Sequence, residues 1–513
     1  MSRFFLTTAI DYANGDPHLG HALEKIGSDV IARYHRLRGD DVHFLSGMDE
    51  HGQKVQQTSA QQGTDPQSFT DEIAGRFQAM WAKLGIGYDQ FIRTTSAHHK
   101  AGVQALILRI AERNPDDFYE RSYKGRYCVG CEAFKQDGDI DADGRCVLHP
   151  TRVLEEVEER NWFFRLSKYQ PFLQELLATN PSFIEPASRR NEILGLLAQG
   201  LEDISASRSR LDWAVPFPLP LSTGEMQGTY VWFDALPNYL TATGFPDAGY
   251  ETKWPADLHV IGKDITRFHA VIWPAMLHAA GLPLPRQVWA HGFVQLAGER
   301  FSKSAGVKLD LGEAIDRYGV DAFRYVLLRE VPFDSDGNFS WERFEERYTS
   351  DLANALGNLA SRATAMVEKY FDAVVPAAPR PEAELADDAD IAAYHAAMDG
   401  RNGWLLHDGL AAVARITSRA NEYTQATTPW SIAKNPSRRA ELEACLASLI
   451  RRLARQAVLL APFMPEKAQA MWEQLGGTGA LSAQRFDDLA SLDVSGWRVA
   501  KGEGLFPRPV AAV

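Results

Sequence analysis

Cysteine is scarce, with 4 in a chain of 513 residues. A disulfide-stapled scaffold is excluded at that density. Long hydrophobic runs are missing too. The longest, such as residues 457–464, fall far short of the ~20 residues that span a bilayer, so no membrane association is expected. No leader segment is visible, because Asp11 and Asp16 follow the first apolar stretch at once; a cytoplasmic protein is expected. An excess of positive charge is also lacking. The net charge is −13, which argues against a basic coat and leaves room only for a local basic patch. We find no internal repeat and no low-complexity tail. Hydrophobic residues make up 45% and charged residues 24%, ordinary values that exclude disorder as the main state. The length predicts about three domains.

The opening residues read as strand, loop and helix. Residues 3–10 are apolar and β-branched, and a turn-rich stretch over 11–17 follows. Asp16 is expected to cap a helix, with Pro17 at its first position. Ala22, Ile26, Val30, Tyr34 and Leu37 mark one helical face, and Gly39 is a stop signal. Residues 42–45 read as the next strand. This βαβ opening predicts a parallel sheet covered by helices. Strand-like stretches at 258–261 and 287–294 form a second such region. The intervening stretch has a different character, as an insertion into an open sheet would. Beyond residue 350, Leu352, Leu356 and Leu359 and then residues 391–475 read as amphipathic helices. Residues 373–390, rich in Pro, Ala and acids, read as a connector.

His18-Leu19-Gly20-His21 opens the first helix. Residues i and i+3 share a helical face, in the turn where backbone N–H groups and the dipole favour anions. Gly20 leaves room for a ligand against the backbone. Taken alone, the segment reads equally well as two surface histidines. Arg300-Phe301-Ser302-Lys303-Ser304, flanked by Gly298 and Gly306, suits a mobile clamp on a polyphosphate. Taken alone, it reads better as a solvated basic loop.

Cys128-Val-Gly-Cys131 and Cys146-Val-Leu-His149 pair as CxxC and CxxH, with residues 132–145 between them. Three thiolates and one imidazole make a closed tetrahedral zinc site, structural because no ligand position is left open. Cys445 reads as a buried small apolar residue.

Together, HLGH beside an N-terminal strand and RFSKS beyond an insertion resemble the HIGH and KMSKS signatures of class I aminoacyl-tRNA synthetases. Further segments are similar to methionyl-tRNA synthetases: Ala9-Ile10-Asp11-Tyr12-Ala13-Asn14-Gly15, Gly47-Met48-Asp49-Glu50-His51-Gly52, Tyr230-Val231-Trp232-Phe233-Asp234-Ala235, Ile261-Gly262-Lys263-Asp264, Phe268-His269, Asn358-Leu359-Ala360-Ser361-Arg362 and Pro429-Trp430. The resemblance covers essentially the whole chain. It departs at Arg300-Phe301, where the pattern has Lys-Met, and at Asp11, where a Pro usually precedes the tyrosine.

The resemblance implies a Rossmann-type parallel sheet split by a zinc-bearing connective peptide and followed by an α-helical anticodon-binding domain. The expected division is 1–115 and 230–290 for the two halves of the catalytic domain and 116–229 for the insertion. Residues 291–350 then form the KMSKS-loop and stem-contact region, and 351–513 the helical domain. The implied activity is methionine–tRNA ligation, in which methionine is activated with ATP and transferred to the terminal adenosine of tRNA(Met). The implied methionine site is Ala9, Ile10, Tyr12, Trp232, Tyr239, Ile265, Phe268, His269 and Trp273, with Asp49 on the ammonium. The implied ATP site is His18, Gly20, His21, Gly262, Asp264, His291, Gly292, Val294 and Lys303. His18, His21, Arg300 and Lys303 carry the catalysis, and Mg²⁺ accompanies ATP. Periodicity alone favours core packing for the aromatic residues.

The implied anticodon readers are Asn358, Arg362, Pro429 and Trp430, since single-stranded loops are read by stacking and base-edge hydrogen bonds. Residues 431–456 also carry Lys434, Arg438, Arg439, Arg451, Arg452 and Arg455 against Glu441 and Glu443, a local excess that offers phosphate contacts on an acidic protein. A monomer is expected. The rival readings are another class I synthetase and a non-catalytic tRNA-binding protein. A leucine-type enzyme needs a larger insertion, and a nucleotidyltransferase lacks the helical region.

Overall fold

The computed structural model describes residues 2–128, 133–135, 137–209, 211–296, 299–300 and 311–507. Seven strands form one parallel sheet. From one edge they run Ile184–Glu185, Val288–His291, Leu258–Gly262, Arg3–Thr8 and Asp41–Asp49. Gln90–Arg93 and Asp11–Tyr12 both pair with the last of these. Phe5, Leu6, Thr7 and Thr8 are all buried, as expected where helices cover both faces of a parallel sheet. The first three main strands step outward from Arg3–Thr8. The chain then returns to place Leu258–Gly262 on its other side. Ligands bind outside the C-terminal strand ends at such a reversal.

The helix Leu19–Arg38 crosses the sheet with Ala22, Leu23, Ile26, Val30, Tyr34 and Leu37 buried, and stops at Gly39, whose φ is 92°. It begins later than the turn signals predict. Asp16 instead pairs with Arg76 at 2.9 Å, and His18 is the cap. The strand expected over 287–294 is two strands. It breaks after His291 because Gly292 lies against the Ser335 backbone, where a Cβ would come within 2.1 Å. Val294–Leu296 then joins a separate small sheet with Glu299–Arg300 and Gly337–Phe339.

In the middle stretch, Phe118–Cys128 pairs antiparallel with Glu155–Phe164 as a long ribbon. Ile184–Glu185, from the same stretch, extends the main sheet at one edge. Beyond residue 340, Trp341–Arg347, a π-type stretch Tyr348–Gly357 and Asn358–Phe371 follow without a break. The helices Asp387–Met398, Leu406–Thr427, Arg439–Leu460 and Pro465–Gln474 complete a bundle. Part of the expected connector is therefore helical: Glu382–Leu385 and the acidic first turn of Asp387–Met398 lie within it. Leu23, Ile26 and Tyr34 of the first helix and Leu446, Leu453 and Leu460 of the bundle belong to one apolar core. Cys445 is buried within it, as expected. Among the described residues, no helix is long and apolar enough to cross a membrane.

Candidate functional site

The C-terminal strand ends gather most of the expected site residues. The two histidines form a capping box. His18 Nδ1 accepts from the N–H groups of Gly20 and His21, at 3.1 and 3.4 Å, and His21 Nδ1 accepts from His18 N–H at 3.2 Å. The rings stack at 3.7 Å. Both Nδ1 atoms act as acceptors, so in the neutral rings the proton sits on Nε2. Each imidazole can thus donate to an anion at the positive end of the helix. A Cβ on Gly20 would lie 3.1 Å from the His18 ring. Glycine lets the ring fold over the helix start.

Asp49 ends its strand. Tyr12 pairs with it in register, and Ala13 N–H donates to its carbonyl at 2.9 Å. Beyond the strand Leu258–Gly262 lies an aromatic group. Trp232 stacks on Phe268 at 3.7 Å. Tyr239 O–H meets His269 Nε2 at 2.7 Å, and His269 Nδ1 meets the Ile265 carbonyl at 3.1 Å. Nδ1 is therefore the donor and Nε2 the acceptor. Burial pushes His269 down to about 4, so the ring is neutral at pH 7. Tyr239 is pushed up, again by burial. Trp273 and Tyr239 are wholly buried, whereas Ile10, Trp232, Ile265 and Phe268 are half-buried at the margin of the same apolar cluster, with Ala9 beside them. Core packing, which periodicity favours, thus describes only the backing residues. Tyr12 borders the other core.

On the nucleotide side, His291 Nε2 lies 3.2 Å from Glu24, and Lys263 pairs with Asp336 at 2.6 Å beside the half-buried Gly262 and exposed Asp264. Gly292 and the buried Val294 follow His291. Lys303 and the rest of 301–310 lie outside the described residues, as does the Arg300 side chain.

Sequence reasoning missed two buried ionic groups. His51 Nδ1 and His99 Nε2 engage the two oxygens of Asp234, at 2.6 and 2.9 Å. Burial opposes ionisation of Asp234, but the two imidazoles outweigh it and hold the carboxyl below its usual range. This links the Asp49 strand end to the helix bearing Trp232. Asp234 and His51 stand in the quoted segments, but nothing local signals that they meet. The second group is Asp11, Lys25 and Glu24. Lys25 lies 3.0 Å from Asp11 and 2.7 Å from Glu24.

At the ribbon tip, Cys128 Sγ, Cys146 Sγ and His149 Nδ1 lie within 4.8 Å of one another. The thiols are 3.8 and 4.0 Å from Nδ1. A tetrahedral zinc with Zn–S ≈ 2.3 Å and Zn–N ≈ 2.0–2.1 Å sets its ligand atoms about 3.5–3.8 Å apart, so this donor set fits a metal. Cys131 lies outside the described residues.

In the bundle, the Arg362 guanidinium lies 5.4 Å over the Trp430 ring. Pro429 is buried, and Asn358 is exposed on the helix carrying Arg362. The expected basic excess of 431–456 is a correction. Arg451, Arg452 and Arg455 are buried and turn inward to Glu384, Asp387 and Asp388. Arg438 and Arg439 pair with Glu441 and Glu443. The acids of the expected connector neutralise most of that charge.

Residues 4–364 match the family described as tRNA synthetases class I (M), and residues 377–508 match the anticodon binding domain of methionyl tRNA ligase. The methionine–tRNA ligase of Caldanaerobacter subterraneus is 42% identical, over 98% of this chain and 78% of that protein. The methionine–tRNA ligase of Streptomyces coelicolor is 41% identical, over 98% and 96%. The Mycobacterium tuberculosis methionyl-tRNA synthetase in complex with methionyl-adenylate superposes with a TM-score of 0.93 at 38% identity, covering 99% of this chain and 100% of that one. Its apo form gives 0.87 at 36% identity, covering 100% and 99%.

Proposed function

The chain belongs to the class I methionyl-tRNA synthetases, and from that premise we propose how its own residues carry out the ligation of methionine to tRNA. The observation that carries the proposal is the convergence, at the C-terminal ends of the central strands, of an anion-binding histidine pair, a carboxylate on a strand end and a half-open aromatic pocket.

Methionine is unbranched, apolar and soft, and an aromatic pocket suits it. Trp232 and Phe268 offer ring faces, with Ile10, Tyr12 and Ile265 beside them. Tyr239, His269 and Trp273 back the pocket, and Ala9 supplies backbone. A neutral His269 suits an uncharged thioether. Asp49 takes the ammonium. Gly262 and Asp264 serve the ribose side, and His291, Gly292 and Val294 the adenine side.

The methionine carboxylate oxygen attacks the α-phosphorus. That O–P bond forms as the bond to the β-phosphate oxygen breaks, and pyrophosphate leaves. Negative charge grows on the phosphate oxygens, so positioned donors are the main need. His18 and His21 give Nε2–H groups there, and Gly20 keeps the helix start open. Lys303, assisted by Arg300, holds the β- and γ-phosphates. Mg²⁺ bound with ATP supplies further neutralisation of the phosphates. A hydroxyl of the terminal tRNA adenosine then takes the methionyl group, and AMP leaves.

We assign Cys128, Cys131, Cys146 and His149 to a structural zinc. Residues 1–115 and 230–290 are the two catalytic halves, 116–229 the insertion, 291–350 the loop and stem-contact region, and 351–513 the anticodon-binding domain. Asn358, Arg362, Pro429 and Trp430 read the anticodon, with Trp430 stacked on a splayed base. Pyrophosphate exchange with each amino acid separately tests the assignment. Exchange with methionine alone is expected. Exchange with another amino acid alone would give a different synthetase, and none at all a binding protein.

A further inference from the structure

Lys25 is fully buried beneath the site. Its ammonium reaches Asp11 Oδ1 at 3.0 Å, Glu24 Oε1 at 2.7 Å and the Ala9 carbonyl at 2.9 Å. The other Glu24 oxygen lies 3.2 Å from His291 Nε2. Four side chains thus form one buried line from Asp11 through Lys25 and Glu24 to His291. One end is the short strand Asp11–Tyr12, which follows Ile10 and pairs with Met48 and Asp49. The other end is the turn of His291 and Gly292.

One ammonium cannot neutralise two carboxylates. Burial opposes ionisation of both, yet Lys25 and His291 hold Glu24 below its usual range. Asp11 is the carboxyl left over, and burial pushes it up against the pull of Lys25. Buried ion pairs are often no more stabilising than apolar residues of the same volume. What such a line does supply is direction. Asp11 and the Ala9 carbonyl both contact Lys25, so a displacement of the Asp11–Tyr12 strand would be felt there, and the next charge along, Glu24, meets His291 on the nucleotide side.

We propose that Lys25 is a positioning residue that couples the methionine subsite to the ATP subsite through Asp11 and Glu24. The proposal rests on the activity assigned above and adds that the two substrates bind cooperatively by this route. Cooperativity of this kind is a coupling free energy and is reciprocal.

The test is methionine-dependent pyrophosphate exchange by the full chain over a grid of methionine and ATP concentrations. The unaltered enzyme should show a lower KM for each substrate when the other saturates. Lys25→Met should abolish that dependence and raise both KM values by about tenfold, with kcat changed much less. Asp11→Ala, which leaves Lys25 and Glu24 paired, should also remove the dependence, raising the KM of each substrate measured with the other saturating. It keeps the question answerable if Lys25→Met does not fold. Intact dependence in a folded Lys25→Met or Asp11→Ala enzyme, a uniform fall in kcat alone, or its absence from the unaltered enzyme would overturn this role while leaving the activity standing. No exchange by the unaltered chain would overturn both.

Discussion

Arg324 donates to Asp29 Oδ2 at 2.6 Å, with both side chains fully shielded from water. The same guanidinium reaches the carbonyls of Leu84, Pro462 and Phe463. Asp29 lies on the histidine-capped helix, and Pro462 and Phe463 follow the last long helix of the bundle. One side chain therefore joins the catalytic sheet to the helical domain. Removing one partner of such a pair leaves a buried charge, at a cost of about 3–5 kcal/mol. Arg324→Ala should lose that much in urea unfolding. Arg324→Lys should recover little, because a compact ammonium cannot reproduce the planar fork. A loss below about 1 kcal/mol, the scale of a surface ion pair, would show that the joint carries little stability.

The metal assignment makes a compositional prediction. Purified protein should contain close to one zinc per chain by elemental analysis. Cys146→Ser and His149→Ala should each bring the content near zero, because a closed site keeps no spare ligand. Full zinc retention in either variant would remove these residues from the ligand set.

Much of the site can be read along the chain because its chemistry is local. HLGH brings its two histidines together through i and i+3 contacts, and the paired CxxC and CxxH suggest a knuckle by spacing alone, whereas Asp49, four residues past the strand read over 42–45, comes only from the family resemblance. The misreadings share one cause, which is a partner supplied from elsewhere in the fold. The strand over 287–294 breaks because Ser335 presses on Gly292. The basic helix is not basic outside, because Arg451 meets Glu384 across 67 positions. Asp11 departs from the family pattern, and its partner Lys25 lies 14 positions on. Periodicity reports which face is buried, not what waits there.

The Asp11 carboxyl gives a pH signature. Burial pushes it from 3.8 up to about 7, with Lys25 opposing and Glu24 reinforcing. The folded state thus binds this proton more tightly than the unfolded state. Its contribution to stability is fully present below about pH 4, declines as pH rises toward 7, and is constant above that. Each pH unit inside the window is worth at most about 1.4 kcal/mol. The difference in Tm between the unaltered chain and Asp11→Ala should fall from pH 5 to 7 and level off by pH 8. A difference that is flat across that range would mean Asp11 ionises normally.

The anticodon role proposed for Trp430 gives the last prediction. Its ring is half-buried under Arg362 and follows Thr428, whose φ of 44° is unusual for a β-branched residue. Pro429, between them, is buried. Stacking a base on such a ring is worth about 1–3 kcal/mol. Trp430→Ala should therefore cut the charging of tRNA by roughly 5- to 150-fold, while methionine-dependent pyrophosphate exchange stays nearly unchanged. Trp430→Phe should recover part of the loss. Arg438→Ala is the informative contrast. Its guanidinium is already engaged by Glu441, so a small effect is expected despite its exposed position. A loss in charging matched by an equal loss in exchange would place the damage in the fold of the bundle, not in base stacking.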